Sequence, residues 1–515
     1  MIKYNDEKYN LIYYLLIFII SIISFYYSKE YALYHTDLIH WSYQLDTVIN
    51  YINGGKLYKD IFLQYGEGMA TSLGVVNYFY KIDIYSIGII TGTIFAIRFF
   101  FIYRLSLYLT NSKPHSIICT SIIFLSMSYT QSPWPDFYSG FFLISFLYFF
   151  VKNYEEKKFI IKILSSFLLF LTIYFRNTYL LNFIGVSILY LFLDTLFFKY
   201  KNKYINEIIS FTLIITLIYL LILYFNGNLF FWFTQGFGLS DNYFAIESSS
   251  ILDRLQNYLY YIARIIYQII LPKSISNFIF SICVFLNIIY LLFHEKLVKK
   301  EDDKYRPLII FMSLYGLCGI IQTLSHYEVM RYINASISVY LVAFYFIKNF
   351  KYISEENKLY LMIISLIICV FNVKTIFPIG SHTHTINNYP KNLYNVSNFK
   401  NFGKKKFTQD VVEYYEEMKG IICDKEYIYN LSYDKALNLI CDNQKNILNF
   451  NILDDEQKII SDLQGGLKKE SRIVISSNKL KNLKIMYKTK FPKYFRYTFS
   501  DTYMRFIPNI IYIYE

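Results

Sequence analysis

The chain has 515 residues, 55% of them hydrophobic, with a mean hydropathy of +0.30. Apolar runs of spanning length recur along it, which excludes one soluble domain and points to a polytopic α-helical membrane protein. The net charge is +13. Its Lys and Arg are scattered between apolar runs rather than gathered on one face, so the expectation is charged loops on one membrane side and no nucleic-acid partner.

In chain order, eleven segments read as spans: about 11–27, 84–109, 115–131, 139–152, 159–175, 178–198, 205–225, 274–293, 307–324, 332–347 and 359–377. No small-x-small cleavage site follows the first, which is therefore read as a retained span rather than a signal peptide. Connections such as "KNYEEKK", "KYKNK" and "HEKLVKKEDDKYR" are rich in Lys, whereas "QSPWPDFY" and "SHYEVMR" are not. By that bias the first set is cytoplasmic, the N-terminus is inside, and the tail after the last span is outside. Two long connections, 28–83 and 226–273, then fall on the outer side. In the second, Leu255, Leu259, Ile262, Ile266 and Ile269 recur at helical spacing, the pattern of an amphipathic helix on the membrane surface.

The first outer connection holds the polar stretch "YHTDLIHWSYQLDTVINYINGGKLYKDIFLQYGEG". On a helix over 37–52, Trp41, Leu45, Val48, Ile49 and Ile52 share one apolar face, which predicts a helix at the interface with Trp41 at headgroup level. Asp37, His40 and Gln44 lie along the edge of that face. Asp46 is half a turn out of phase and is expected to be solvated. Asp37 suits an N-cap, since it precedes an apolar-periodic run. It also stands where a carboxylate would meet a lipid-borne substrate, and the two roles are compatible. Gly54 and Gly55 stop the helix. Asp60, Gln64, Tyr65 and Gly66 follow in a loop, and Glu67 has no evident place.

Ionisable groups near the outer ends of spans are candidates for function. Arg176 stands in "YFRNTYLLN", and His326, Glu328 and Arg331 in "SHYEVMRYIN". Asp136, in "SPWPDFY", is placed to line the same cavity. Arg98 lies deep in the second span, while Arg104 suits snorkelling to the cytoplasmic side. The pair His382 and His384 reads as a structural loop.

Residues 1–380 form the transmembrane domain. The polar tail, 385–515, reads as helix ("TQDVVEYYEEMKG"), strand ("EYIYNL"), helix ("YDKALNLIC"), loop, helix ("DDEQKIISDLQGGL"), strand ("SRIVISS") and a final strand ("NIIYIYE"), a small α/β domain. Cys423 and Cys441 in it leave two readings open, a disulfide or two buried thiols. Cys119, Cys283, Cys318 and Cys369 lie in apolar segments as small hydrophobes.

An acid just after the first span, a helix, then "G-x-x-Y-x-D-x-x-x-x-Y-G" (Gly55, Tyr58, Asp60, Tyr65, Gly66) resembles the first outer loop of polytopic GT-C glycosyltransferases. The resemblance is strongest to the bacterial relatives of protein mannosyltransferases and lipid A aminoarabinose transferases. It implies a GT-C-like bundle of about eleven helices in a bacterial cytoplasmic membrane. It also implies transfer of a sugar, with inversion, from a polyprenyl-phosphate donor to a lipid, glycan or protein acceptor at the outer face. Asp37 would be the general base. His40, Tyr58, Asp60, Gln64, Tyr65, Arg176, His326, Glu328 and Arg331 would bind substrate. Displacing a lipid phosphate needs one carboxylate base and cations for the growing charge. Some relatives use a metal on an Asp-x-Asp pair. The sequence here is His-Thr-Asp, so no obligatory metal or other cofactor is expected. Family members often carry an Arg-x-Asp motif at the later positions, whereas Asn177 follows Arg176 here.

Two other classes fit less well. An O-antigen-type polymerase or ligase usually has its largest outer loop late and rich in Arg. A transporter favours internal repeats and broken helices with charge at mid-membrane, and the sequence displays neither.

Overall fold

The structure is a computed structural model. It describes residues 7–34, 38–63, 65–126, 133–198, 202–237, 251–298, 305–323, 329–370, 394–395, 398–425, 427–432, 434–441, 447–449, 472–477, 479–480, 483–490, 492 and 510–514.

The chain is largely helical, with a small sheet at its C-terminal end. The helices are α1 (Glu7–Tyr34), α2 (Leu38–Ile52), α3 (Gly68–Phe79), α4 (Ile84–Thr110), α5 (Lys113–Ser126), α6 (Pro135–Lys152), α7 (Phe159–Phe175), α8 (Tyr179–Leu193), α9 (Lys203–Phe225), α10 (Leu229–Phe237), α11 (Ile251–Ile270), α12 (Ile275–Leu297), α13 (Arg306–Gly319), α14 (Val329–Ala335), α15 (Ile337–Asn349), α16 (Glu355–Val370) and α17 (Gln409–Ile422). Among the described residues five segments, in α1, α4, α8 with its extension, α9 and α12, are long and apolar enough to cross a membrane. Shorter apolar helices include α7, α13 with its 3-10 extension, and α15.

The helix ends follow from local chemistry. Asp83 caps α4, its carboxylate accepting from Ser86 N at 2.7 Å, and Asn111 closes the helix in the left-handed region at φ 48°. Asn202 caps α9 and Ser274 caps α12 in the same manner. At the centre of the bundle α4, α6, α13 and α15 bury most of their residues, whereas α1 and α9 expose broad apolar faces. Such faces are stable only against lipid or a partner of similar apolarity. In α11, Leu259, Ile262 and Ile266 are exposed together, the stripe that the sequence spacing predicts.

The C-terminal sheet has the order β4-β3-β5-β7-β6, with β3 (Tyr427–Asn430), β4 (Ile447–Asn449), β5 (Arg472–Ser476), β6 (Ile485–Lys490) and β7 (Ile510–Tyr514). β3 pairs parallel with β4 and β5, and β7 runs antiparallel to β5 and β6. A two-residue ladder of β1 (Tyr394–Asn395) and β2 (Lys406–Phe407) precedes it. α17, β3, β5 and β7 fall on segments whose type the sequence indicates. β4 and β6 do not, and the helix expected over "DDEQKIISDLQGGL" lies outside the described residues. "YDKALNLIC" folds as a short 3-10 helix, Lys435–Leu439. Of the two readings for Cys423 and Cys441, the structure has the disulfide.

This domain is not a separate appendage. The 3-10 helix packs on α2, and Asn438 Nδ2 donates to Asp46 Oδ2 at 3.1 Å. Gly403, at φ 62°, lies against the Asp83 carboxylate at the start of α4, where a side chain would collide. Two sequence expectations are overturned here. Asp46 is wholly buried, not solvated, and Trp41, Leu45 and Val48 are wholly buried in protein, not laid on a membrane surface. Helical periodicity reveals an apolar stripe but not what covers the opposite side, and here the tail covers it.

Removing one partner of a buried hydrogen bond leaves the other unsatisfied, at a cost of about 1–3 kcal/mol. Asp46→Ala and Asn438→Ala should each lower the melting temperature of the full chain in detergent, and the double variant should lose less than the sum. Additive losses in that cycle would show that the two side chains are not coupled.

Candidate functional site

The loop between α2 and α3 returns to the bundle through Tyr58 to Gly68. Tyr58 is buried at φ 68°, a conformation that a bulky residue adopts only when its surroundings hold it there. Its N–H donates to Ile61 O at 2.9 Å. Gln235 of α10 spans the turn, Nε2 donating to Tyr58 O at 2.8 Å and Oε1 accepting from Leu63 N at 2.9 Å.

The two glycines of "YGEG" then allow the backbone to lie on the end of α7. A Cβ on Gly66 would overlap the Tyr174 carbonyl, and one on Gly68 would stand 2.9 Å from Phe175 Cα. Each flanking side chain is thereby aimed. The Tyr65 ring meets Trp134 edge-on, with centroids 4.9 Å apart, and the Arg176 guanidinium lies 5.3 Å from the Tyr65 centroid.

Arg176 terminates α7, where a cation is favoured by the helix dipole. It forms a buried ion pair with Asp136 in the first turn of α6, and its Nε donates to Thr178 Oγ1 at 3.1 Å. The Thr178 hydroxyl donates in turn to Gln322 at 2.7 Å. Arg331 of α14, also buried, acts on the same Asp136 carboxylate, as does Trp134. Two guanidiniums and one carboxylate therefore share one dry corner.

Glu67 points to the other side of the loop. Three tyrosines, Tyr58, Tyr174 of α7 and Tyr219 of α9, stand within electrostatic reach of its carboxylate. Tyr174 also donates to Thr71 at 2.9 Å. Burial pushes the Glu67 carboxyl up from its ordinary 4.5 to about 7, with the nearby Tyr219 phenol opposing. Burial likewise raises the Tyr58 phenol well above its usual value, so it stays protonated.

Deeper in the bundle lies Arg98, fully buried near the middle of α4. Its guanidinium donates to the Asn334 side chain and, at 3.3 Å, to the Ile333 carbonyl. These acceptors lie at the end of α14, which Ser336 separates from α15. The chain thus has a helix break beside a mid-bundle charge; the sequence displays the charge, as Arg98 deep in the second span, but not the break.

Of the residues singled out from sequence, Tyr65 and Arg176 are in contact, and Arg331 joins Arg176 through Asp136. Tyr58 belongs to the neighbouring Glu67 cluster. Asp60 is exposed and uses its carboxylate to accept from Lys56 N at 2.9 Å, closing a local turn. His40 lies on α2. Asp37, Gln64, His326 and Glu328 lie outside the described residues. Glu67, Thr178, Gln235 and Gln322 were missed, and only the glycines around Glu67 carried a signal. Among the described residues no three His, Cys, Asp or Glu side chains converge as a metal set. No protein-family model matches the chain, and no curated protein matches it.

Because folding raises the Glu67 value, the stability it contributes is complete below about 4.5 and is lost as pH rises through about 7. Glu67→Gln should therefore flatten the fall in melting temperature between those values and stabilise the chain at pH 8. Equal pH slopes for the two proteins would contradict a buried Glu67 carboxyl.

Proposed function

We propose that this chain is a membrane glycosyltransferase of GT-C type. It moves a sugar from a polyprenyl-phosphate donor to an envelope lipid, glycan or protein at the outer face of the membrane. The observation that carries this is the convergence of the family-like first outer loop, through Tyr65, with the buried arginines Arg176 and Arg331 around Asp136. In such a site the Asp37 carboxylate takes the proton of the acceptor hydroxyl. The acceptor oxygen bonds to the anomeric carbon from the face opposite the phosphate. The bond from that carbon to the phosphate oxygen breaks, and the electron pair leaves with the polyprenyl phosphate. The guanidiniums supply fixed positive charge where the phosphate gains negative charge, and a low-dielectric surrounding strengthens the effect.

The topology proposed with it has eleven spans, the N-terminus inside and the tail outside. Each of the eleven segments coincides with described helix over most of its length. The Cys423–Cys441 disulfide favours an oxidising compartment for the tail. The tail also docks on α2, within the first outer connection. One specific observation favours a second reading, transport of an anionic lipid: the break at Ser336 beside Arg98.

Membranes containing the chain and a polyprenyl-phosphate sugar should transfer the sugar. Asp37→Asn should lower the rate at least ~100-fold, and Arg176→Gln by ~100-fold or more. Full transfer by Asp37→Asn would remove that residue as base, and transport of the donor without transfer would select the second reading. A tag after Tyr514 should react with external, membrane-impermeant reagents. Labelling only after the membrane is opened would reverse the topology.

A further inference from the structure

A cavity of about 60 Å³ opens at the end of the bundle opposite the Arg176 corner. Tyr108 lies in the last turn of α4, Val151 and Lys152 in the last turn of α6, and Tyr305 directly before α13. Asp136 and Lys152 stand 16 residues apart on α6 (152 − 136), about 24 Å, so this place is separate from the outer corner. α4 is long and apolar enough to cross a membrane, which puts its last turn at headgroup depth.

The floor of the cavity is protein and its rim is open. Tyr345 of α15 and Val151 are buried, while Tyr108, Lys152 and Glu155 are exposed. The Tyr305 hydroxyl donates to the Glu155 carboxylate, which holds that charge at the rim. A carboxylate has lone pairs for further donors. Three tyrosines and a carboxylate around one small space suit an organic ammonium, through cation–π attraction and a charge-assisted hydrogen bond. The C-terminal ends of α4 and α6 meet there as well, and helix dipoles favour a cation at such ends.

The rim also carries positive charge. Lys152 lines the cavity, its Nζ 5.8 Å from the Tyr148 centroid, and the Arg104 guanidinium lies 5.9 Å from the Tyr108 centroid. In the lining itself one ammonium stands with one carboxylate. A bare anion would meet Glu155 and a bare cation Lys152, so the lining matches a zwitterion. Size narrows the choice further. At about 10–15 Å³ for each water-sized group, the space takes about four to six of them, the bulk of an aminoethoxy arm.

We propose that this cavity binds a phosphoethanolamine group. The ammonium sits among Tyr108, Tyr305 and Tyr345 and donates to Glu155, and the phosphate stays at the rim beside Lys152 and Arg104. The group arrives on a phospholipid or as a free ester; the chemistry is shared. The site is independent of glycosyl transfer, because binding requires no sugar.

The test uses the full-length chain in nanodiscs of phosphatidylcholine, whose quaternary nitrogen has no N–H to donate to Glu155. Thermal unfolding is followed as phosphatidylethanolamine or phosphatidylglycerol replaces part of that lipid, and separately as soluble phosphoethanolamine is added. At least one of the two ethanolamine compounds should raise the melting temperature saturably, while phosphatidylglycerol should not. A shift with the soluble ester identifies a free ligand, and a shift with phosphatidylethanolamine alone a lipid-borne one. Glu155→Gln and Lys152→Met alter exposed side chains and leave the packed floor in place. Each should raise the half-saturating amount about tenfold, the effect of one lost hydrogen bond to a charged group. No shift with either ethanolamine compound overturns the site. So does an equal shift with phosphatidylglycerol, which lacks the ammonium, and so does half-saturation unchanged in both variants, since the lipid then acts only through the bilayer.

Discussion

Two side-chain clusters depend on the close approach of the Gly66–Gly68 backbone to the end of α7. With no Cβ on either glycine, the loop lies against Tyr174 and Phe175. That contact aims Tyr65 at Arg176 and Glu67 at Tyr219, so one short segment sets two clusters. A larger residue at either glycine would force the loop away and separate Tyr65 from the cation it covers. Gln235, bonded to both ends of the Tyr58 turn, fixes the same loop from α10.

The second organising constraint is charge in a low-dielectric bundle. Arg176 is tolerated because α7 ends there and because Asp136 faces it across the first turn of α6. Asp46, wholly buried on α2, is tolerated because the tail supplies the Asn438 amide. Burying such groups costs several kcal/mol each unless they are satisfied. Their presence therefore ties α2 and the tail into one unit, and α6 to the end of α7. The disulfide between Cys423 and Cys441 brackets both β3 and the 3-10 helix that reaches α2, so it steadies the contact on which that unit rests.

Much of the helical pattern was legible in the sequence, because an apolar run long enough to meet lipid has few other uses. What covers a helix was not. Trp41 reads as an interfacial residue and Asp46 as a solvated one, yet both are buried, since the partner of α2 comes from almost 400 residues later in the chain (438 − 46 = 392). Arg176 and Arg331 were legible as charges at the ends of apolar runs. Asp136 was legible as lining the same cavity, but its ion pair with Arg176 was not, because no local spacing encodes a contact between helices. Glu67 had no visible role until its flanking glycines proved to be points of backbone contact. The break at Ser336 was also hidden, since Ser carries no strong breaker signal.

The central claim is that this outer corner serves sugar transfer from a lipid phosphate. Its most direct test is mass analysis of the cell-envelope glycans and polyprenyl-linked sugars, with and without the chain. The account predicts that loss of the chain removes one sugar residue from an envelope glycan, with its unmodified acceptor and the polyprenyl-phosphate sugar accumulating. An envelope in which every glycan and every lipid-linked sugar is unchanged would contradict it.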